Sequence, residues 1–180
     1  ATWDVPDNSE LPDGELLVPL GSADIKREGG DVTFIAHNRS VIFALEAAEQ
    51  QLAFFNDYFS VDYPFGKLDL IAVPDFSAGA MENVGCVTFH EDVLIFRSKV
   101  TERSYISRAT TIHHEMAHMW FGDLVTMKWW QDLWLNESFA EWASYMSVSE
   151  STQYKHAWTE FNSVRKNWAY RVDQMTSTHP

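Results

Sequence analysis

Thiols are nearly absent from this chain. Cys86 is the one cysteine among 180 residues, so no disulfide can close within the chain and no thiolate cluster can hold zinc. That fits a reducing compartment, and a cytoplasmic location is the expectation. No apolar run reaches the ~20 residues that a membrane-spanning helix requires. Basic residues are scarce, 13 Lys and Arg against 26 Asp and Glu, for a net charge of −13. This balance argues against nucleic acid or an anionic membrane as a partner. It suits a cationic ligand, such as a peptide's free amino group. The first residues, ATWDVPDNSELPDG, have neither an initiator methionine nor the basic-then-apolar order of a secretory signal. No internal repeat and no low-complexity tract interrupts the chain.

Apolar and aromatic residues are plentiful, 46% and 14%, as in a packed globular protein. Residues 1–15, rich in Pro, Asp and Gly, read as an irregular lead-in. GELLVPL and DVTFIAHN read as two strands around a turn. From Ser40, a good N-cap, Val41, Ile42, Leu45, Ala48, Leu52, Phe55 and Phe59 recur at helical spacing. KLDLIAVPDF predicts a strand ending near Pro74, SAGAMENVG a loop or sheet edge, and CVTFH and DVLIF two further strands. A helix is expected from about Tyr105 to Phe121, closed by Gly122 at C′. Another begins near Asn136, and a third runs from about Thr152 to Arg171 with Trp158, Phe161, Val164 and Trp168 aligned. Strands come first and helices follow, which is an α+β layout.

The segment TIHHEMAHMWFGDLVTMKWWQDLWLNESFAEW carries the chemistry. His114 and His118 are four apart, so in a helix both imidazoles share a face and can reach one ion. His113 offers no competing frame, because its own i+4 position is Ala117. Glu115 is turned about 100° from His114 and suits a base acting on a water beside the ion. With 7 histidines in the chain, HExxH arises by chance only about 0.02 times per chain of this composition. A catalytic zinc takes a third protein ligand, and Asp123, Asp132, Glu137 and Glu141 are the candidates. Glu137 is favoured because it opens the next helix, whereas Asp123 reads as a capping or loop residue. Glu141 shares the Glu137 face, as an orienting partner or as a plain solvent-facing residue. The tryptophans Trp120, Trp129, Trp130, Trp134 and Trp142 read as core that excludes water.

On these residues the chain resembles the zinc aminopeptidases of the aminopeptidase N and leukotriene hydrolase group, and most of all their bacterial members. Their signature is HExxH, eighteen residues, then Glu; here 18 residues separate His118 from Glu137, one fewer than in thermolysin-type endopeptidases. Gly79-Ala80-Met81-Glu82-Asn83 matches their second motif, GAMEN. The resemblance is close from about Tyr63 to Trp142. It implies one Zn²⁺ per chain held by His114, His118 and Glu137, and Glu115 as the catalytic base. It also implies that Glu82 grips the free N-terminus of a peptide substrate, that Gly79 and Ala80 offer backbone contacts, and that Met81 shapes the first pocket. Asn83 completes the motif.

The implied fold is a thermolysin-like metallopeptidase catalytic domain: an antiparallel or mixed sheet followed by zinc-site helices. Residues 1–39 are then strands leading in from a preceding β-domain, and residues 40–180 are the catalytic core, truncated on its C-terminal side. The family's oxyanion-stabilising tyrosine lies some sixty residues beyond the third ligand, past Pro180, and Tyr145, Tyr154 and Tyr170 read as packing residues. The expected function is zinc-dependent removal of N-terminal residues from peptides. The alternatives are a zinc-binding catalytic fragment with little or no activity alone, an endopeptidase, or an epoxide-hydrolase relative. A glycine in place of Ala80 would have favoured the last.

Overall fold

The computed structural model describes residues 32–35 and 40–175. The expected lead-in, residues 1–15, and the GELLVPL strand lie outside the described residues, so the 1–39 boundary has only one described element. That element is β1 (Val32–Ile35). It is followed by α1 (Ser40–Phe59), β2 (Leu68–Val73), β3 (Ala80–Met81) and β4 (Cys86–His90). The sheet order is β1-β2-β4-β3. The first three of these strands run parallel, with Leu70 opposite Phe34 and Val87, and β3 closes the edge antiparallel to β4. Parallel neighbours need a crossover, and α1 supplies the one between β1 and β2. The sheet is therefore mixed, as the sequence suggested, although a helix already intervenes among its strands.

DVLIF departs from expectation. It is not a strand: α2 (Glu91–Leu94) replaces it. An apolar run of this length does not distinguish strand from buried helical turn. Here the His90 imidazole accepts the Asp92 N–H at 3.2 Å, two acids occupy the first turn, and one turn of helix buries Leu94 and Ile95 side by side.

Three helices complete the frame. In α3 (Glu102–His118) the helix stops earlier than Gly122, because Met119 and Trp120 tighten onto Met116 O and Ala117 O at 3.2 and 3.1 Å. A 3₁₀ turn (Trp130–Leu135) leads to α4 (Glu137–Ser151). The third predicted helix begins at Ala157, not Thr152, since Thr152 ends α4 and its hydroxyl accepts Tyr154 N–H at 3.1 Å. It continues as α5 (Ala157–Glu160), a π-helical segment (Phe161–Lys166) and α6 (Asn167–Asp173).

One core joins sheet and helices. Phe55 of α1, Leu68 and Leu70 of β2, Val87 and Phe89 of β4, Ile112 and Met116 of α3, and Ala140 and Ala143 of α4 are all buried together. A second cluster, Ile106, Tyr145, Val148 and Ala157, fastens α5 to the other ends of α3 and α4. Among the described residues no helix is long and apolar enough to cross a membrane.

Candidate active site

The last turn of α3 and the first residue of α4 meet at one point. His114 Nε2 and His118 Nε2 lie 3.0 Å apart. Glu137 Oε2 stands 3.4 Å from the first and 3.9 Å from the second. The reversal between the helices is built around Gly122, whose φ is +139°. A Cβ at that residue would come within 2.5 Å of Asn136 Oδ1 and 3.0 Å of His118 Nδ1, so only glycine lets this turn nest between the ligand helix and the start of α4. Asn136 precedes α4 but makes no side-chain cap; its Oδ1 lies against Gly122, buried without a hydrogen-bond partner.

The other ring nitrogens face acceptors. His118 Nδ1 approaches the Phe121 carbonyl at 3.1 Å, and His114 Nδ1 lies 3.1 Å from Glu141 Oε2. A proton on each Nδ1 leaves each Nε2 lone pair free for an ion. Burial pulls the His114 pKa down, but the Glu137 and Glu141 carboxylates outweigh it and push it up to about 9. Burial and the neighbouring His114 charge hold His118 below its usual value. The hydrogen bond to His114 keeps Glu137 low. His113 points away into the α3–α4 contact, where it meets Ser147 Oγ at 2.9 Å.

Glu115 is 6% exposed, and its Oε2 has no hydrogen-bond partner. Burial raises its pKa to about 7; the adjacent His114 charge opposes this and the carboxylates of Glu82, Glu137 and Glu141 add to it. A buried carboxyl titrating near neutrality is what a proton-accepting role requires. Glu82 arrives from the sheet. Ala80 and Met81 pair with Phe89 and Thr88 at the open edge of β4, Gly79 O accepts His90 N–H at 2.8 Å, and Asn83 Nδ2 donates to Thr88 Oγ1 at 3.1 Å. Glu82 follows that edge, and it, Glu115 and His118 each present one donor atom within 4.8 Å of the others. The two sequence motifs are thus one site.

The model of the peptidase family M1 domain matches residues 43–180. The chain belongs to that family. It is 53% identical over 137 residues to aminopeptidase N of Streptomyces lividans, covering 75% of this chain and 16% of that protein. It is 45% identical over 139 residues to aminopeptidase M1-A of Oryza sativa subsp. japonica, covering 77% of this chain and 16% of the relative. A third relative, tricorn protease-interacting factor F2 of Thermoplasma acidophilum, is 44% identical over 138 residues, covering 77% and 18%. The match spans about a sixth of the length of the first of these relatives.

In this M1 domain His114, His118 and Glu137 could hold a metal ion, their donor atoms all lying within 4.8 Å of one another. Two nitrogens and a carboxylate, beside the unpartnered Glu115 oxygen, fit a divalent ion with one position left for a reactant. Asp132 lies exposed on the 3₁₀ turn and does not join this group. Asp123 is the loop residue of its two readings and not a cap: its Oδ2 is buried without a partner, and burial together with Glu82 pushes its pKa to about 6. The tryptophan expectation holds for Trp120 but fails for Trp129, Trp130 and Trp134, which are 63%, 62% and 57% exposed, because the 3₁₀ turn carrying the last two buries no residue; Trp142, on α4, is exposed as well, at 36%. Tyr145 packs as expected, whereas Tyr170 is exposed.

Proposed function

We propose that this M1 domain is the thermolysin-like catalytic core of a zinc aminopeptidase, which hydrolyses the first peptide bond of peptides with a free N-terminus. The observation that carries the reading is the shared neighbourhood of two groups around His118. One is the donor set His114, His118 and Glu137; the other is the carboxylate pair Glu82 and Glu115.

A zinc ion in the donor set supplies Lewis-acid polarisation of the scissile carbonyl and acidifies water. Glu115 then takes the proton of the attacking water and returns it to the leaving amine. Glu82 binds the substrate's ammonium by charge-assisted hydrogen bonds. Its place at the end of an open strand edge lets the peptide add along Ala80–Met81. Because Glu82 and Glu115 flank the same histidine, an ammonium at one leaves room for a single residue before the bond at the other. Met81, 41% exposed at that edge, contributes to the wall of the first pocket.

The test is release of alanine from an alanyl-anilide by the zinc-loaded chain, beside its N-acetylated twin. Cleavage of the free amine alone is expected. Equal cleavage of both would remove the Glu82 ruler and favour an endopeptidase. A second reading, a zinc-holding core with little turnover of its own, draws on the 16% of the relative's length that the match covers. Zinc binding with neither substrate cleaved would select it.

A further inference from the structure

Resting on the metal-site reading above, the structure assigns a role to a residue outside both motifs. Glu141 stands one turn after Glu137 on α4, so the two carboxylates share a face and both meet His114, at its two different nitrogens. Glu141 Oε2 is 3.1 Å from His114 Nδ1, and Glu141 Oε1 is 2.7 Å from Arg165 Nε. Both are ion pairs by distance, although their angles fall short of aligned hydrogen bonds. Arg165 belongs to the π-helical segment Phe161–Lys166, a widened turn of the kind that often accompanies functional sites. Tyr145 and Glu160 also lie near its guanidinium, and both help to raise its pKa. Tyr145 is 1% exposed and meets Phe161 edge-on at 5.1 Å, so the guanidinium is anchored on the second core cluster.

We propose that Arg165 is a positioning residue for the metal site: it clamps Glu141, which in turn holds the His114 ring with its Nδ1 protonated and its Nε2 turned to the ion. Without the guanidinium, Glu141 is free to swing towards solvent, and His114 loses the acceptor that fixes its tautomer. Carboxylates that orient ligating histidines typically matter 10–100-fold in metal affinity. Here the second core cluster, 51 residues after His114 in sequence at Arg165, becomes part of the scaffold of the metal site.

The experiment measures the zinc dissociation constant of the 180-residue chain by competition with a chromophoric chelator, together with the melting temperature of the apo form. Arg165→Met is expected to weaken zinc about 10-fold, and Glu141→Gln by a similar factor. The double variant is expected to be no weaker than either single one, because the two residues act in series. Arg165→Lys recovers only part, since an ammonium cannot reproduce the guanidinium fork. In the zinc-loaded protein, ¹⁵N spectra show the His114 Nδ1–H protected from exchange, and the protection falls in Arg165→Met. Unchanged zinc affinity in Arg165→Met, with only the apo melting temperature lowered, would overturn the proposal and leave Arg165 a packing residue. Fully additive losses in the double variant would overturn it too. Failure of the unaltered chain to bind zinc would instead remove the metal reading on which the proposal stands.

Discussion

Gly122 and Asn136 touch across the reversal between α3 and α4, so closely that a Cβ on the glycine would lie 2.5 Å from Asn136 Oδ1. That contact sets the distance between the two histidines on one helix and Glu137 on the next. Gly122→Ala is expected to cost about 1–3 kcal/mol of folding stability for the strained backbone alone. Displacement of Asn136 is expected to weaken zinc as well. Thermal melts and zinc titration of this variant check both; unchanged zinc affinity would show that the turn does not set the site's geometry.

Glu115→Gln keeps the size of the side chain and removes its ability to accept a proton. Zinc content is expected to remain at the unaltered level while turnover falls by about 10²–10⁴-fold, the usual contribution of a positioned base. Metal analysis beside single-substrate kinetics measures the two separately. Retained turnover would take Glu115 out of the base role.

Glu82→Ala is expected to raise the KM of free-amine substrates and lower their turnover, because it removes the ammonium's partner. N-acetylated substrates, already poor, are expected to change little. Comparing kcat/KM for the two classes isolates the anchor, and equal losses would contradict it.

Zinc removal gives a stability prediction. The site places Glu82, Glu115 and Glu137 around His118, and a divalent cation relieves their mutual repulsion. Binding only to the folded chain, zinc at a thousand times its dissociation constant adds about 4 kcal/mol. For a domain of this size each kcal/mol moves the melting temperature by about 2–4 °C. Chelation is therefore expected to lower it by roughly 8–16 °C, and re-addition of zinc to restore it. An unchanged melt would mean that the folded chain does not bind the ion.

Much of the site was legible because its pieces are local. His114 and His118 are one turn apart, so periodicity pairs them; Glu137 was favoured among four carboxylates because it opens the next helix, and the family resemblance implied the full set. α1 was legible for the same reason: Ala48 and Phe55, seven apart, are both fully buried. The failures are equally physical. DVLIF is short, with four apolar residues in a row after Asp92, so its pattern fits a turn of helix as well as a strand. Trp129, Trp130 and Trp134 look like core by composition, yet the last two sit on an exposed 3₁₀ turn and Trp129 immediately precedes it. Arg165 carries no local signal, since its value depends on a π-helical segment bringing it beside Glu141. Asp123 sits in the loop after α3, as one of its two readings had it, but nothing in its sequence position foretold that one carboxylate oxygen is buried near Glu82.

The most direct test is zinc K-edge absorption on the loaded chain, unaltered and as Glu137→Ala. The unaltered chain is expected to show two imidazoles and a carboxylate oxygen among its ligands, with one ion per chain. The variant is expected to lose the carboxylate and to bind zinc at least an order of magnitude more weakly. A first shell with a single imidazole, or one unchanged by Glu137→Ala, would contradict the assignment of His114, His118 and Glu137 as the metal site.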